Sequence, residues 1–210
     1  MSHTLGESGY SYFGGIVGKS YSNPSLSNRV FIYNSLNYGT ITDKGITNNN
    51  LYLGGIAGHT YYATIENCVS GGKISLPQTT APRNSYIGSI VGYVSDETSI
   101  NYCYFTSDLS DYSKYEYKTP SSESNTFSYD SITIELNETV SVGSYSGNSL
   151  IDVLNGYADP NKDFDYSHWL LNSNSASVTF KVNNNKGFSV SSQVILFPDL
   201  SSTGQNKFSG

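Results

Sequence analysis

Charge is what this sequence has least of. Of its 210 residues only 13% are Asp, Glu, Lys or Arg, about half the ~25% share usual for soluble domains, and the 11 basic residues stand singly. At a net charge of −6 no basic patch exists to displace counterions from a phosphate backbone, which argues against nucleic acid and anionic membrane as partners. Long apolar runs are missing too: no stretch of ~18 apolar residues offers a membrane-spanning helix. Met1-Ser-His-Thr-Leu-Gly-Glu7 has neither the basic start nor the apolar core of an export signal. Cysteine occurs twice, without Cys-x-x-Cys spacing or a Cys/His pattern, so no metal or other cofactor is implied. In place of charge stand Gly (20), Tyr (19) and many Ser, Asn and Thr, the chemistry of exposed β-structure rather than of a helical cytosolic enzyme.

Three segments repeat. Tyr12-Phe-Gly-Gly-Ile-Val-Gly18, Tyr52-Leu-Gly-Gly-Ile-Ala-Gly58 and Tyr86-Ile-Gly-Ser-Ile-Val-Gly92 are one motif, with Gly14, Gly54 and Gly88 spaced 40 and then 34 residues apart. Each is followed by a second shared element, beginning at Ile32, Ile65 and Ile100. A period of this size means stacked units rather than a closed globule. The short apolar runs bounded by Gly read as buried strands, and the glycines as corners or places of close backbone approach. Residues at one motif position should therefore stack, which predicts interior ladders from Ile16, Ile32, Ile56, Ile65, Ile90 and Ile100. Inserts at 19–29, 42–50 and 76–83 are expected as loops on one face, where recognition diversifies or spacers are tolerated.

Residues 1–106 are thus read as the repeat region and 107–176 as a connecting stretch with a cap. Asp108 to Tyr129 has the texture of a polar linker, and Ile132-Thr-Ile-Glu-Leu136 alternates like a strand. Ser149-Leu-Ile-Asp-Val-Leu-Asn-Gly156 carries a Ser N-cap, an early Asp and a closing Gly, which predicts a helix. That helix, with Trp169, Leu170 and Leu171, is expected to cover the open end of the stack. Residues 177–210 read as strand (177–182), turn and strand (193–197), a ribbon too small to stand alone. Together these elements predict an all-β fold: a parallel β-solenoid with a short capping helix and a partial β-ribbon module.

Cys68 and Cys103 fall at equivalent positions, 35 residues apart. On adjacent parallel rungs their Cβ atoms would be separated by the ~4.8 Å strand spacing, beyond the ~3.8 Å usual in a disulfide. Free buried thiols are favoured, with a disulfide as the alternative.

The repeats resemble the GLUG motif: Gly15-Ile-Val-Gly18 and Gly55-Ile-Ala-Gly58 match its core, and Asn67-Cys-Val-Ser-Gly-Gly-Lys-Ile74 its continuation. Ser89 and Ser35 depart from the pattern. The resemblance covers residues 10–106 and implies a right-handed parallel β-helix of large surface or secreted proteins, including adhesins and immunoglobulin A peptidases, in which it is non-catalytic. An extracellular or cell-surface location follows from the same resemblance. The C-terminal piece resembles the start of a Listeria–Bacteroides repeat, a β-grasp-like module of internalins, whose Phe-x-Gly-Trp motif would begin at Phe208 and lacks its Trp.

Since parallel β-helices also include polysaccharide-cleaving enzymes, catalysis is the rival reading, and it needs acids converging on one groove. Asp43, Glu66, Asp96 and Glu97 do not recur at equivalent positions. Neither His3, His59 nor His168 has a partner at metal-ligand spacing, and Gly143-Ser-Tyr-Ser-Gly147 lacks a strand-to-helix context. A binding role rests on Tyr33, Tyr38, Tyr61, Tyr62, Tyr93, Tyr102 and Tyr104, an aromatic surface that could stack on glycans or dock a host or cell-surface protein. The bland alternative is that Tyr simply forms β-structure well. Asn137-Glu-Thr139 is the sole N-glycosylation acceptor pattern. The expectation is a non-catalytic adhesion or spacer segment, cut from a longer chain at both ends, with a β-helix enzyme or an accessory domain of a secreted peptidase as alternatives.

Overall fold

Every repeat forms one rung of a stack. The first comprises β1 (Tyr10–Gly14), β2 (Val17–Tyr21), β3 (Val30–Tyr33), β4 (Leu36–Asn37) and β5 (Ile41–Thr42). The second has the same five parts: β6 (Asn50–Gly54), β7 (Ala57–Tyr61), β8 (Ala63–Glu66), β9 (Val69–Ser70) and β10 (Ile74–Ser75). In the third, β11 (Ser85–Val94) runs through both initial arms without a break, followed by β12 (Ser99–Asn101) and β13 (Tyr104–Thr106). The computed structural model describes residues 9–24, 28–42, 50–76, 84–95, 97–109, 113–117, 122–130, 134–142, 144–158, 169–172 and 177–180.

Strands of successive rungs pair in parallel and in register. Tyr12 lies beside Tyr52 and Tyr52 beside Tyr86; Ile32 beside Ile65 and Ile65 beside Ile100; Leu36 beside Val69 and Val69 beside Tyr104. The repeat sheets are thus parallel and stacked like a solenoid. Main-chain bonds also bridge the corners, as where Ile16 N–H donates to Ile56 O at 3.0 Å and Ile56 N–H to Ile90 O at 2.9 Å. Gly58 and Gly92 let the two initial arms of the rung close on each other. A Cβ on Gly58 would lie 2.5 Å from Gly18 O and 2.8 Å from Phe13 N, and one on Gly92 would lie 2.5 Å from Leu53 N.

The stack does not stop at residue 106. Β-strands β14 (Ser113–Tyr117), β15 (Ser122–Ser124) and β16 (Phe127–Tyr129) pair in parallel with β11, β12 and β13 and make a fourth rung from the stretch whose texture suggested a polar linker. A rung needs main-chain partners and only a few inward side chains. Ser122, Glu123 and Ser124 are all exposed, while Thr126 and Tyr129 supply the buried positions. One corner of each rung repeats a left-handed residue: Asn34 (φ 48°), Asn67 (51°), Tyr102 (52°) and Asn125 (45°). Asn tolerates this region because its short side chain bonds locally; Tyr102 holds it through packing instead.

Two apolar clusters form. Inside the stack lie Ile32, Ile56, Ile65, Ile90, Ile100, Cys68, Cys103 and Phe105. The predicted ladder is found at five of its six positions. Ile16 is 43% exposed, because among the described residues no rung lies over the first. Both cysteines are free and buried, and each thiol donates weakly to a carbonyl of the preceding rung, Cys68 to Ile32 O (3.4 Å) and Cys103 to Ile65 O (3.6 Å). Burial pushes the Cys103 thiol well above its ordinary pKa.

The second cluster lies outside the stack. β17 (Glu135–Val142) pairs antiparallel with β16, β18 (Tyr145–Ser149) antiparallel with β17, and α1 (Leu150–Ala158) follows at the predicted place. Instead of covering the end of the stack, α1 covers its flank. Leu150, Val153, Leu154 and Tyr157 share one cluster with Val69 and Tyr104, against which Leu36 and Phe127 also pack, so that each of the four rungs contributes a residue. The β4-β9-β13-β16 column is apolar on its outer face as well, so the cover has to run along it. Trp169 completes this cluster from a strand, β19 (Trp169–Asn172), which pairs antiparallel with β20 (Ser177–Phe180). The expected pairing partner of β20, residues 193–197, and the Phe208 motif lie outside the described residues.

Candidate functional site

The tyrosines named from sequence separate into three settings. Under the helix, Tyr104 is fully buried, Tyr102 lies against Tyr157 with ring centroids 4.5 Å apart, and Tyr38 packs on the flank cluster. Tyr104 is therefore not part of an open aromatic surface, and Tyr38 and Tyr102 are half-buried beside the cluster that holds α1. Burial pushes the hydroxyls of Tyr104 and Tyr129 above their ordinary range.

The second setting is an aromatic wall over the first two arms. Tyr12, Tyr52 and Tyr86 stack in register, with centroid distances of 5.0 Å and interplanar angles of 19° and 12°. On the adjoining column, Lys19, His59 and Tyr93 are in register with one another. Lys19 Nζ sits 4.8 Å from the centre of the Tyr12 ring, and Tyr93 meets Tyr52, His59 and Tyr86 edge-on at 4.9 Å each. Sequence reading named only Tyr93 here; the in-register recurrence of Tyr at 12, 52 and 86 was the signal that marks the others. Ring faces in this wall are largely spent on one another, which binds rung to rung.

His59 sits within that wall. Its Nε2 is 2.8 Å from Ser95 Oγ, an arrangement that by distance alone suggests an activated nucleophile. Nδ1 is buried with no hydrogen-bond partner, so no acid orients the ring. An unpaired lone pair costs less than an unpaired N–H, so the proton belongs on Nε2 and points at Ser95. Burial, and then the Lys19 charge, lower the His59 pKa to about 4. With the ring neutral near pH 7 and its proton on Nε2, His59 is placed to donate to Ser95 Oγ rather than to accept from it.

The third setting is open to solvent. Tyr61 stacks on Tyr21 at 5.0 Å and 13°, and Tyr21 is 67% exposed. Tyr62, at φ 57°, lies beneath the Arg29 guanidinium at 4.6 Å, and Tyr33 neighbours Phe31 at 5.3 Å. Arg29 is itself held by Ala63 O at 2.9 Å, Glu97 O at 2.6 Å and the Glu97 carboxylate at 3.5 Å. Of the seven tyrosines, Tyr33, Tyr61 and Tyr62 are the ones this corner region gathers.

Of the four acids named from sequence, the two that are described, Glu66 and Glu97, have partners. Glu66 accepts from Tyr157 Oη at 2.5 Å and from Asn101 Nδ2 at 3.2 Å, and Glu97 pairs with Arg29. Asp43, Asp96, His3 and His168 lie outside the described residues. Among the described residues no three His, Cys, Asp or Glu side chains gather as a metal site, and no helix is long and apolar enough to cross a membrane. Asn137 is exposed on β17, its Nδ2 donating to Ser128 Oγ at 2.6 Å.

Residues 49–75 match the GLUG motif. They span the second rung, from the start of β6 to the end of β10. No curated protein and no solved structure matches the chain.

Proposed function

We propose that the stack is a right-handed parallel β-helix and that the chain is a non-catalytic adhesion or spacer segment of a large cell-surface or secreted protein. The observation that carries this reading is the four-rung register itself. Identical positions stack from rung to rung, and the flank cluster that includes α1 takes in a residue from each of the four rungs. Such a body is long, stiff along its axis and held by every neighbouring rung, which suits a load-bearing spacer.

An adhesive role would use the open corner at Tyr21, Tyr33, Tyr61 and Tyr62, with a glycan or a host or cell-surface protein as partner. Exposed Asn137 is available as a glycosylation acceptor, in keeping with an extracellular location. A glycan and host-protein array on the purified chain separates the two roles: retention of one ligand class, lost in Tyr21→Ala, means adhesion, and retention of none means spacer.

His59 and Ser95 favour the enzymatic alternative by proximity alone. Polysaccharides incubated with the chain are expected to keep their length. Shortening that disappears in Ser95→Ala would replace the present reading with a hydrolase.

A further inference from the structure

The outer column that carries Tyr21 and Tyr61 changes character at the third rung. Tyr21 and Tyr61 are in register, and the residue that continues them is Ser95, whose N–H donates to Thr60 O at 2.9 Å, the parallel-strand bond that sets it beside Tyr61. One face of the Tyr61 ring is covered by Tyr21 at 5.0 Å; the other looks toward a side chain that has no ring. Tyr61 and Ser95 are both half-buried. We propose that this step from Tyr61 to Ser95 is a subsite for a neutral sugar, a pyranose whose C–H face lies on the Tyr61 ring while one of its hydroxyl oxygens accepts from Ser95. The proposal rests on the adhesive reading above and gives it a ligand class. Only the second and third rungs supply the contacting groups.

His59 sets the direction of the Ser95 hydroxyl. With Nδ1 buried and unpartnered, the imidazole gives its one proton from Nε2 to Ser95 Oγ, 2.8 Å away. The serine oxygen is then engaged as an acceptor, and its own O–H is left to donate. An aromatic face beside one oriented donor is the usual composition of a small-molecule site, mostly apolar with a few placed polar groups. A pyranose has the matching two parts, an apolar face of C–H groups and a rim of hydroxyls.

The charges nearby select a neutral sugar over an acidic one. Arg29 lies over the Tyr62 ring at 4.6 Å and 3.5 Å from the Glu97 carboxylate, so its charge is already paired. Lys19, on the column of His59, is held over the ring of Tyr12. With these two engaged and a net charge of −6, a uronate or sialate gains nothing here that offsets repulsion by the whole chain.

The test is an array of neutral glucose-, galactose-, mannose- and N-acetylglucosamine-terminated oligosaccharides beside uronate- and sialate-terminated ones. Probed with the full chain at about 0.15 and about 1 M salt, it should show retention on a neutral group, equal at both. Tyr61→Ala should weaken that binding about tenfold or more. Ser95→Ala, which keeps the platform and removes one hydroxyl, should weaken it about two- to tenfold and decides the matter if the urea midpoint shows Tyr61→Ala unfolded. Retention on acidic sugars that fades in high salt, or neutral retention unchanged in Ser95→Ala, would overturn the proposal and leave adhesion standing. Retention on no sugar, with capture of a host protein instead, would do the same, and retention of nothing at all would overturn the adhesive reading with it.

Discussion

Trp169 donates its indole N–H to Asn34 Oδ1 at 2.8 Å across 135 residues of sequence. The same oxygen accepts from Asn67 Nδ2 at 2.7 Å, so one carboxamide joins the first rung, the second rung and the strand that closes the flank cluster. Trp169 is fully buried, and its own main-chain N–H is held by Asn155 of α1 at 2.7 Å.

Asn34→Ala removes the acceptor of both bonds and should cost about 1–3 kcal/mol. Trp169→Phe leaves Asn34 Oδ1 still accepting from Asn67 Nδ2, so for the lost bond itself about 0.5–1.5 kcal/mol is expected. The pair together should cost less than the two separately, with a coupling of about 0.5–3 kcal/mol. Urea unfolding followed by far-ultraviolet circular dichroism, run as a double-mutant cycle, measures it; strict additivity would mean the bond does not act.

Ile56 and Ile16 hold the same motif position with opposite surroundings, 0% and 43% exposed. Ile56→Ala should lose about 2–5 kcal/mol through lost burial and the cavity left behind. Ile16→Ala should stay nearer the ~0.5 kcal/mol typical of surface sites. Equal losses in urea unfolding would show that the first rung is covered in solution.

Gly58 is where two arms touch. Alanine there would press on Gly18 O and the Phe13 main chain, and overpacking of this kind costs about 1–3 kcal/mol or more. Gly39, where the nearest atom to an added Cβ is Asn37 Oδ1 at 3.3 Å, should accept alanine within about 1 kcal/mol of wild type. Thermal unfolding of the two variants should separate them clearly; a harmless Gly58→Ala would contradict the close approach.

These contrasts mark what the sequence made legible. Tyr, Gly and Ile recurring at fixed offsets announced the stack and its interior ladder, and Ser149 to Gly156 announced α1. The fourth rung was hidden because β15 and β16 keep the main-chain register with hardly any of the motif's side chains, and main-chain pairing leaves no compositional mark. The flank was hidden for a related reason: Leu36, Val69 and Tyr104 face outward only because a helix from 150–158 covers them, a contact no local pattern records. The tyrosine surface failed in part for the same cause, since Tyr104 and Tyr102 look like exposed β-formers until α1 is laid over them.

His59 gives the structure a pH dependence of defined sign. Its folded pKa, about 4, lies below its unfolded value, so the unfolded chain binds the extra proton between those two points. Stability from this group is present above about pH 6.5 and is lost as pH falls toward 4. His59→Gln should flatten that part of the curve of urea midpoint against pH. An identical acid slope in the variant would assign it to the carboxylates instead.

Residues 113–129 decide the central claim, four rungs in one register. Amide hydrogen exchange read residue by residue should find Ser99–Asn101, Ser122–Ser124 and Phe127–Tyr129 protected together, because the first two segments pair with each other and the third joins β13 to β17. Free exchange at 122–129 beside a protected third rung would mean that the stack ends at 106 and that the polar texture was a linker after all.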